Sequence, residues 1–115
     1  MHTRSIENLP EKERLALDEL KLRIGREFPG HSFRLTLFGS KARGDAEPDS
    51  DTDVLVEMDM PQISLPDKRR LRRIAGDITL NSGVLLCLLV VDRHTREEKA
   101  DYSIFQNIHE EGIIL

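Results

Sequence analysis

Apolar residues fall along this chain in a few separated patterns, and each pattern predicts an element. From about Pro10 to Phe28, Leu17, Leu20, Ile24 and Phe28 recur at spacings of three and four, with Leu15 and Leu22 widening the stripe. That period predicts an amphipathic helix. Glu11, Glu13, Glu19, Lys21 and Arg23 are then expected on its solvated face. Asn8 or Ser5 suits the N-cap, Pro10 suits a first helical turn, and Phe28-Pro29-Gly30 is a stop signal. Between Phe33 and Phe38 the pattern alternates: Phe33, Leu35 and Leu37 share one side, Arg34 and Thr36 the other, as in a half-buried strand.

A second strand is expected over Asp53–Met58, ended by Asp59-Met60-Pro61. A second amphipathic helix is predicted from about Leu65 to Leu80, with Leu71, Ile74 and Ile78 as its stripe and Asn81-Ser82-Gly83 as its stop. The run Val84–Val91, VLLCLLVV, is apolar on both faces, the pattern of a strand covered on both sides. Three helical segments leave its second face short of cover, so the C-terminal segment or a partner subunit is expected to close it. Tyr102–Leu115 reads as a short helix around Ile104, Phe105 and Ile108, followed by an apolar tail, Gly112-Ile113-Ile114-Leu115. That tail is expected to pack, and is a second candidate for an interface. The whole reads as one α+β domain spanning residues 1–115.

The stretch LFGSKARGDAEPDSDTDVLV, Leu37 to Val56, breaks these regular patterns. An apolar run ends in Gly39-Ser40, a polar segment follows, and Asp51 and Asp53 open the next apolar run. Side chains two apart on a strand share a face, so these carboxylates can converge. Two hard anionic ligands suit Mg²⁺, which takes one or two protein carboxylates together with substrate phosphates. Gly39 allows close backbone approach, and Ser40 is placed to cap a short helix Lys41–Arg43 whose N–H groups would face an anion. Lys41 and Arg43 add positive charge. N–H donors for the outer phosphates and carboxylates for the bridging ion are what a nucleoside triphosphate requires.

Composition narrows the classes. Net charge is −4, there is no Trp and one Tyr, and both facts oppose broad nucleic-acid binding. Lys68-Arg69-Arg70 with Arg72-Arg73 is the one basic cluster, read as a solvated helix face. The single Cys87 excludes an internal disulfide, fits a reducing cytoplasm, and is expected to act as a small buried hydrophobe. No apolar stretch is long enough to span a membrane, and the first residues lack the apolar segment of a signal peptide. His2, His31, His94 and His109 show no metal-ligand spacing and are expected at the surface.

Gly39-Ser40, then Ala42-Arg43-Gly44, then Ser50-Asp51-x-Asp53 followed by aliphatic residues, resembles the signature of the DNA polymerase β-type nucleotidyltransferases. The likeness is strongest to the minimal, single-domain (MNT) members. The resemblance implies a small two-layer fold, with a mixed three- to four-stranded sheet and helices mainly on one face. It implies transfer of a nucleotidyl (AMP) group from Mg-ATP to a hydroxyl. Asp51 and Asp53 would hold the ion, and Gly39, Ser40, Lys41, Arg43 and Ser50 would contact the nucleotide. It also implies a HEPN-type protein partner in a toxin–antitoxin module, with this chain as the antitoxin. A homo-oligomer and a non-catalytic binding module are the alternatives carried beside that reading. One departure stands out. The family's third carboxylate belongs on the strand matching Val84–Val91, which contains no Asp or Glu; Asp92 lies at the far end of that strand, and Glu57 is too far along its own.

Overall fold

The computed structural model describes residues 6–47 and 49–115, so the expectations for Ser5 and His2 fall outside the described residues. Helix α1 runs Glu11–Glu27 and strand β1 Phe33–Phe38, and a single turn of helix, α2, follows at Ser40–Arg43. Then come β2 (Thr52–Met58), α3 (Leu65–Ser82), β3 (Leu86–Val91), α4 (Arg93–Glu98), α5 (Ser103–Glu111) and the two-residue strand β4 (Ile113–Ile114).

The sheet order is β3-β2-β1-β4. β1 and β2 pair antiparallel, with Phe33 opposite Met58 and Phe38 opposite Asp53. β3 lies parallel to β2, with Asp53 opposite Cys87 and Glu57 opposite Val91. A parallel neighbour needs a crossover of a dozen residues or more, and α3 supplies it. β4 closes the other side against β1, Thr36 opposite Ile114. The apolar tail is thus a strand of this sheet, and the mixed sheet expected from the sequence is present with four strands.

Alternation along the strands separates two cores. Leu35, Leu37, Val54 and Val56 face α1 and α3, packing with Leu17, Leu20, Ile24, Leu71, Ile74 and Ile78. On the opposite face Leu55 and Val91 pack with Phe105 and Ile108 of α5, flanked by Phe38 and Leu89. The C-terminal helix therefore covers part of the second face that the β3 sequence left open. Gly112 allows the chain to turn back there: a Cβ on it would collide with the Ile108 carbonyl and stand 2.6 Å from Thr36 Cγ2. Gly112→Ala is expected to loosen the α5–β1 junction, lowering the melting temperature without changing secondary-structure content by circular dichroism.

The helices correct three details. In α1 the buried residues are Glu13, Ala16, Leu17, Leu20 and Ile24, while Leu15 and Leu22 are exposed. At about 100° per residue, positions two away from Leu17 and Leu20 turn to the far side, whereas Glu13, four before Leu17, lies on the core side. Pro10, not Asn8, occupies the N-cap; its carbonyl accepts from Glu13 N and Arg14 N, while Asn8 belongs to a preceding 3₁₀ turn. The second helix begins on Ser64, whose Oγ accepts from Asp67 N at 3.2 Å, and ends on Gly83 at φ 76°. Within its basic run Arg70 is not merely solvated. Its guanidinium donates to the Glu27 carboxylate and carbonyl and lies 4.6 Å from the Phe28 ring, tying α3 to α1. His31, His94 and His109 are exposed, as expected. Among the described residues no helix is long and apolar enough to cross a membrane.

Asp92 is a structural residue. Buried at the end of β3, it caps α4 through Thr95 N at 2.7 Å and holds the Ile63 N–H at 3.0 Å. Burial alone would push its carboxyl up; the hydrogen bonds from Ile63 and Thr95 outweigh that and bring it down to about 2. A depressed native pKa gives stability that is fully present above the ordinary carboxylate range and lost as pH falls towards 2. Asp92→Ala is expected to cost about 2–3 kcal/mol at neutral pH, from a lost cap and an orphaned buried N–H. In acid titrations followed by circular dichroism, the variant's deficit should shrink as pH falls from about 4 to 2.

Candidate active site

The site forms where β1 ends and β2 begins. After Phe38 the backbone enters the left-handed region at Gly39 (φ 76°), and one turn of helix follows. Gly39, rather than Ser40, is the N-cap of α2. Ser40 is its first residue, one position past the cap. The Gly39 carbonyl accepts from Ala42 N and Arg43 N, both at 3.1 Å. The N–H groups of Ser40 and Lys41, in the first turn, have no intrahelical carbonyl to bond. Gly44 (φ 84°) closes the turn as a left-handed C-cap.

β2 begins at Thr52, one residue before the sequence suggests. The Thr52 N–H donates to the Leu85 carbonyl at 2.8 Å, stitching the mouth of β2 to the approach of β3. Asp51 precedes the strand and Asp53 lies within it. Carboxylate oxygens of both, together with Cys87 Sγ, come within 4.8 Å of one another. Asp53 lies in register with Cys87, as Leu55 does with Leu89. The cluster therefore stands on the α5 side of the sheet, just beyond the second core. Asp51 is exposed; Asp53 and Cys87 are half-buried.

Gly39 is built into this cluster. A Cβ there would lie 2.5 Å from Asp53 Oδ2, so the backbone turn and the carboxylate occupy adjoining space that only glycine leaves free. Gly39→Ala is expected to cost about 1–2 kcal/mol through its positive φ. It should also push the Asp53 carboxylate aside, lowering the nucleotidyl transfer that the sequence resemblance implies at least about tenfold, since misplacement of this order weakens positioning catalysis strongly. Thermal denaturation and a transfer assay read the two effects separately.

The charges act on one another. Burial raises the Asp53 carboxyl and the neighbouring charge of Asp51 raises it further, while Arg43 pulls it back. Burial likewise pushes the Cys87 thiol up, helped by the charge of Asp51, a hydrogen bond to Asp51, and the charge of Asp53. Without a cation the cluster thus holds a neutral thiol beside two crowded carboxylates. Arg43 is exposed, with its guanidinium 3.3 Å from Asp45 and 3.6 Å from Glu111. The hydrogen bond that its Nε donates to the Asp45 carboxylate, and then the Asp45 charge, hold that guanidinium above its ordinary pKa.

The remaining residues singled out by the sequence divide. Ser50, half-buried in the preceding turn with its N–H donating to Glu47 O at 3.0 Å, lines a hollow with Glu13, Thr52 and Leu85 that neither Asp51 nor Asp53 lines. Lys41 takes a different position from the expected one. It is 8% exposed and its ammonium is ion-paired with the equally buried Glu13 of α1. The pair lines a cleft of about 570 Å³ bounded by Leu9, Pro10, Ala42 and Ile113, and neither Asp51 nor Asp53 lines it. Asp92 lies five residues beyond Cys87, about 16 Å along the strand, and is occupied by its cap. Glu57 is buried and faces Arg96 at 3.4 Å. Neither joins the cluster. The group opposite Asp53 is Cys87, half-buried beside the carboxylates rather than a small hydrophobe buried in the core as expected. Only the parallel register of β2 and β3 reveals this, and nothing in either segment's sequence states that register.

The donor set fits a divalent ion: two carboxylates on a shared face, that of Asp53 raised by burial and by the charge of Asp51, with a glycine cradle alongside. The family comparison agrees with the geometry. Residues 17–115 match the model of the nucleotidyltransferase domain, and the chain belongs to that family. It is also 28% identical over 103 residues, 90% of this chain and 97% of the relative, to a Methanocaldococcus jannaschii protein named "Putative protein adenylyltransferase".

Proposed function

We propose that this protein transfers the AMP group of ATP to a hydroxyl on a protein partner. The observation that carries the reading is the convergence of Asp51 and Asp53 beside the Gly39 turn, within a nucleotidyltransferase domain. Asp51 and Asp53 would hold Mg²⁺, which neutralises phosphate charge and polarises the reacting phosphoryl oxygen when bound. Gly39 brings the backbone close to the outer phosphates, and the first-turn N–H groups of Ser40 and Lys41 donate to them. Arg43, exposed at the rim, gives up a surface ion pair for a phosphate at little cost, because such pairs are weak. Ser50, the residue before Asp51, would help to set the loop that carries that carboxylate.

A protein acceptor is favoured by the exposure of Asp51 and by the name of the archaeal relative. An open site suits a hydroxyl presented by another macromolecule. In its most specific form, resting on the family resemblance, the acceptor is a small HEPN-type toxin and this chain its antitoxin. The test is Mg²⁺-dependent incorporation of α-labelled ATP, with the chain alone and with the product of the neighbouring gene added. Label on the partner is the expected result. Absence of label, despite a stable complex and measurable ATP binding, would overturn transfer.

That second outcome defines a second reading, favoured by one observation: a thiol, not a carboxylate, faces Asp53. Without a basic group there to take the acceptor proton, the fold would bind nucleotide and neutralise a partner by association alone.

A further inference from the structure

We infer that Cys87 is a ligand of the ion held by Asp51 and Asp53, and that it makes the site favour thiophilic divalent ions over Mg²⁺. The inference rests on the proposed ion-holding role of the two aspartates and adds the metal preference of that site. Three observations carry it. Asp51 O, Asp53 O and Cys87 Sγ lie within 4.8 Å of one another, so one ion can touch all three. β2 and β3 are hydrogen-bonded in a fixed parallel register that places Cys87 directly opposite Asp53, so the thiol is held there by the backbone. The Gly39 turn abuts Asp53 Oδ2, where a Cβ would stand 2.5 Å away, and so restricts where that carboxylate can go.

The chemistry of the donors then sets the preference. Carboxylate oxygens accept hard and borderline ions alike, whereas sulfur suits Zn²⁺, Co²⁺ and softer ions and is a poor donor to Mg²⁺. On binding, the S–H bond breaks, the sulfur forms the metal bond and the proton leaves to solvent. With Mg²⁺ the thiol keeps its proton and stays a neighbour, and the aspartates alone hold the ion.

Because Cys87 is the chain's one cysteine, the readouts are unambiguous. Co²⁺ is titrated into the full chain, without and with ATP, and the sulfur-to-cobalt charge-transfer absorption is recorded. Mg²⁺ and Co²⁺ affinities are measured by calorimetry, and alkylation of the thiol by iodoacetamide is followed with each ion. Wild type should show the charge-transfer band and slowed alkylation with Co²⁺ but not with Mg²⁺. Cys87→Ser should lose the band and bind Co²⁺ about tenfold or more weakly, with Mg²⁺ affinity within about threefold. Cys87→Asp should bind Mg²⁺ more tightly than wild type does, and circular dichroism of both variants controls for folding. Co²⁺ bound without the band, and equally well by Cys87→Ser, would overturn the inference while leaving the aspartate pair as the ion site. Failure of all three proteins to bind either ion, with or without ATP, would overturn the ion-holding role as well.

Discussion

Asp53→Asn is expected to reduce label transfer from α-labelled ATP to background, a loss of at least about two to three orders of magnitude. The same substitution should make the ion-free protein more stable. The carboxyl of Asp53 is raised by burial and by Asp51. The folded state therefore holds that proton more tightly than the unfolded one, and stability falls as pH rises through the interval between the two pKa values. At neutral pH the charged Asp53 is a destabilising group, and asparagine removes the charge while keeping the shape. A higher melting temperature at pH 7, little difference near pH 3 and no transfer together would mark a site whose carboxylates are kept for function. Full transfer by the variant would defeat the assignment of Asp53, whatever its stability.

Lys41→Met should have the largest effect on stability. It leaves the Glu13 carboxylate buried at 4% exposure without its cation, and the second oxygen of that carboxylate already has no hydrogen-bond partner among the described residues. Removing one member of a buried pair costs about 3–5 kcal/mol, a large share of a small domain's stability. The melting temperature should fall by roughly 15 °C or more. Glu13→Leu combined with Lys41→Met should recover most of the loss, because a packed apolar pair can replace a buried ionic one. The double variant also tests the role of Lys41. If its ammonium serves only to brace α2 against α1, ATP affinity in the double variant stays within about threefold of wild type; a loss beyond tenfold would place the ammonium on the nucleotide.

Much of this architecture was legible in the sequence because the signals were local. The alternation of Phe33 to Phe38 gave β1 to the residue, the stripe of Leu71, Ile74 and Ile78 gave the buried face of α3, and Asn81-Ser82-Gly83 gave its end. Asp51 and Asp53 could be paired because two positions on one strand need no tertiary information. What stayed hidden depended on partners distant along the chain. Glu13 looked like one more charge on a solvated face, and only Lys41, 28 residues later, explains its burial. A helical wheel anchored on Leu17 would have placed Glu13 inward and Leu15 outward, so that signal was present and outvoted by residue type. Cys87 is different in kind. Its meaning lies in the parallel register with Asp53, which no periodicity encodes.

That register has a consequence for how the molecule reaches its native state. Asp51 and Asp53 stand at the mouth of one strand and Cys87 in its parallel neighbour, and the link between them is the whole of α3. Parallel pairing across such a loop forms slowly, because chain closure precedes the contacts that reward it. An ion or nucleotide that spans the two strands recognises only the closed form. By linkage it would stabilise the chain by about 2.7 kcal/mol at a hundredfold excess over its dissociation constant. The cellular supply of that ligand would then set how much of the chain stands folded, so that abundance follows metal and nucleotide levels even where no catalysis is under way.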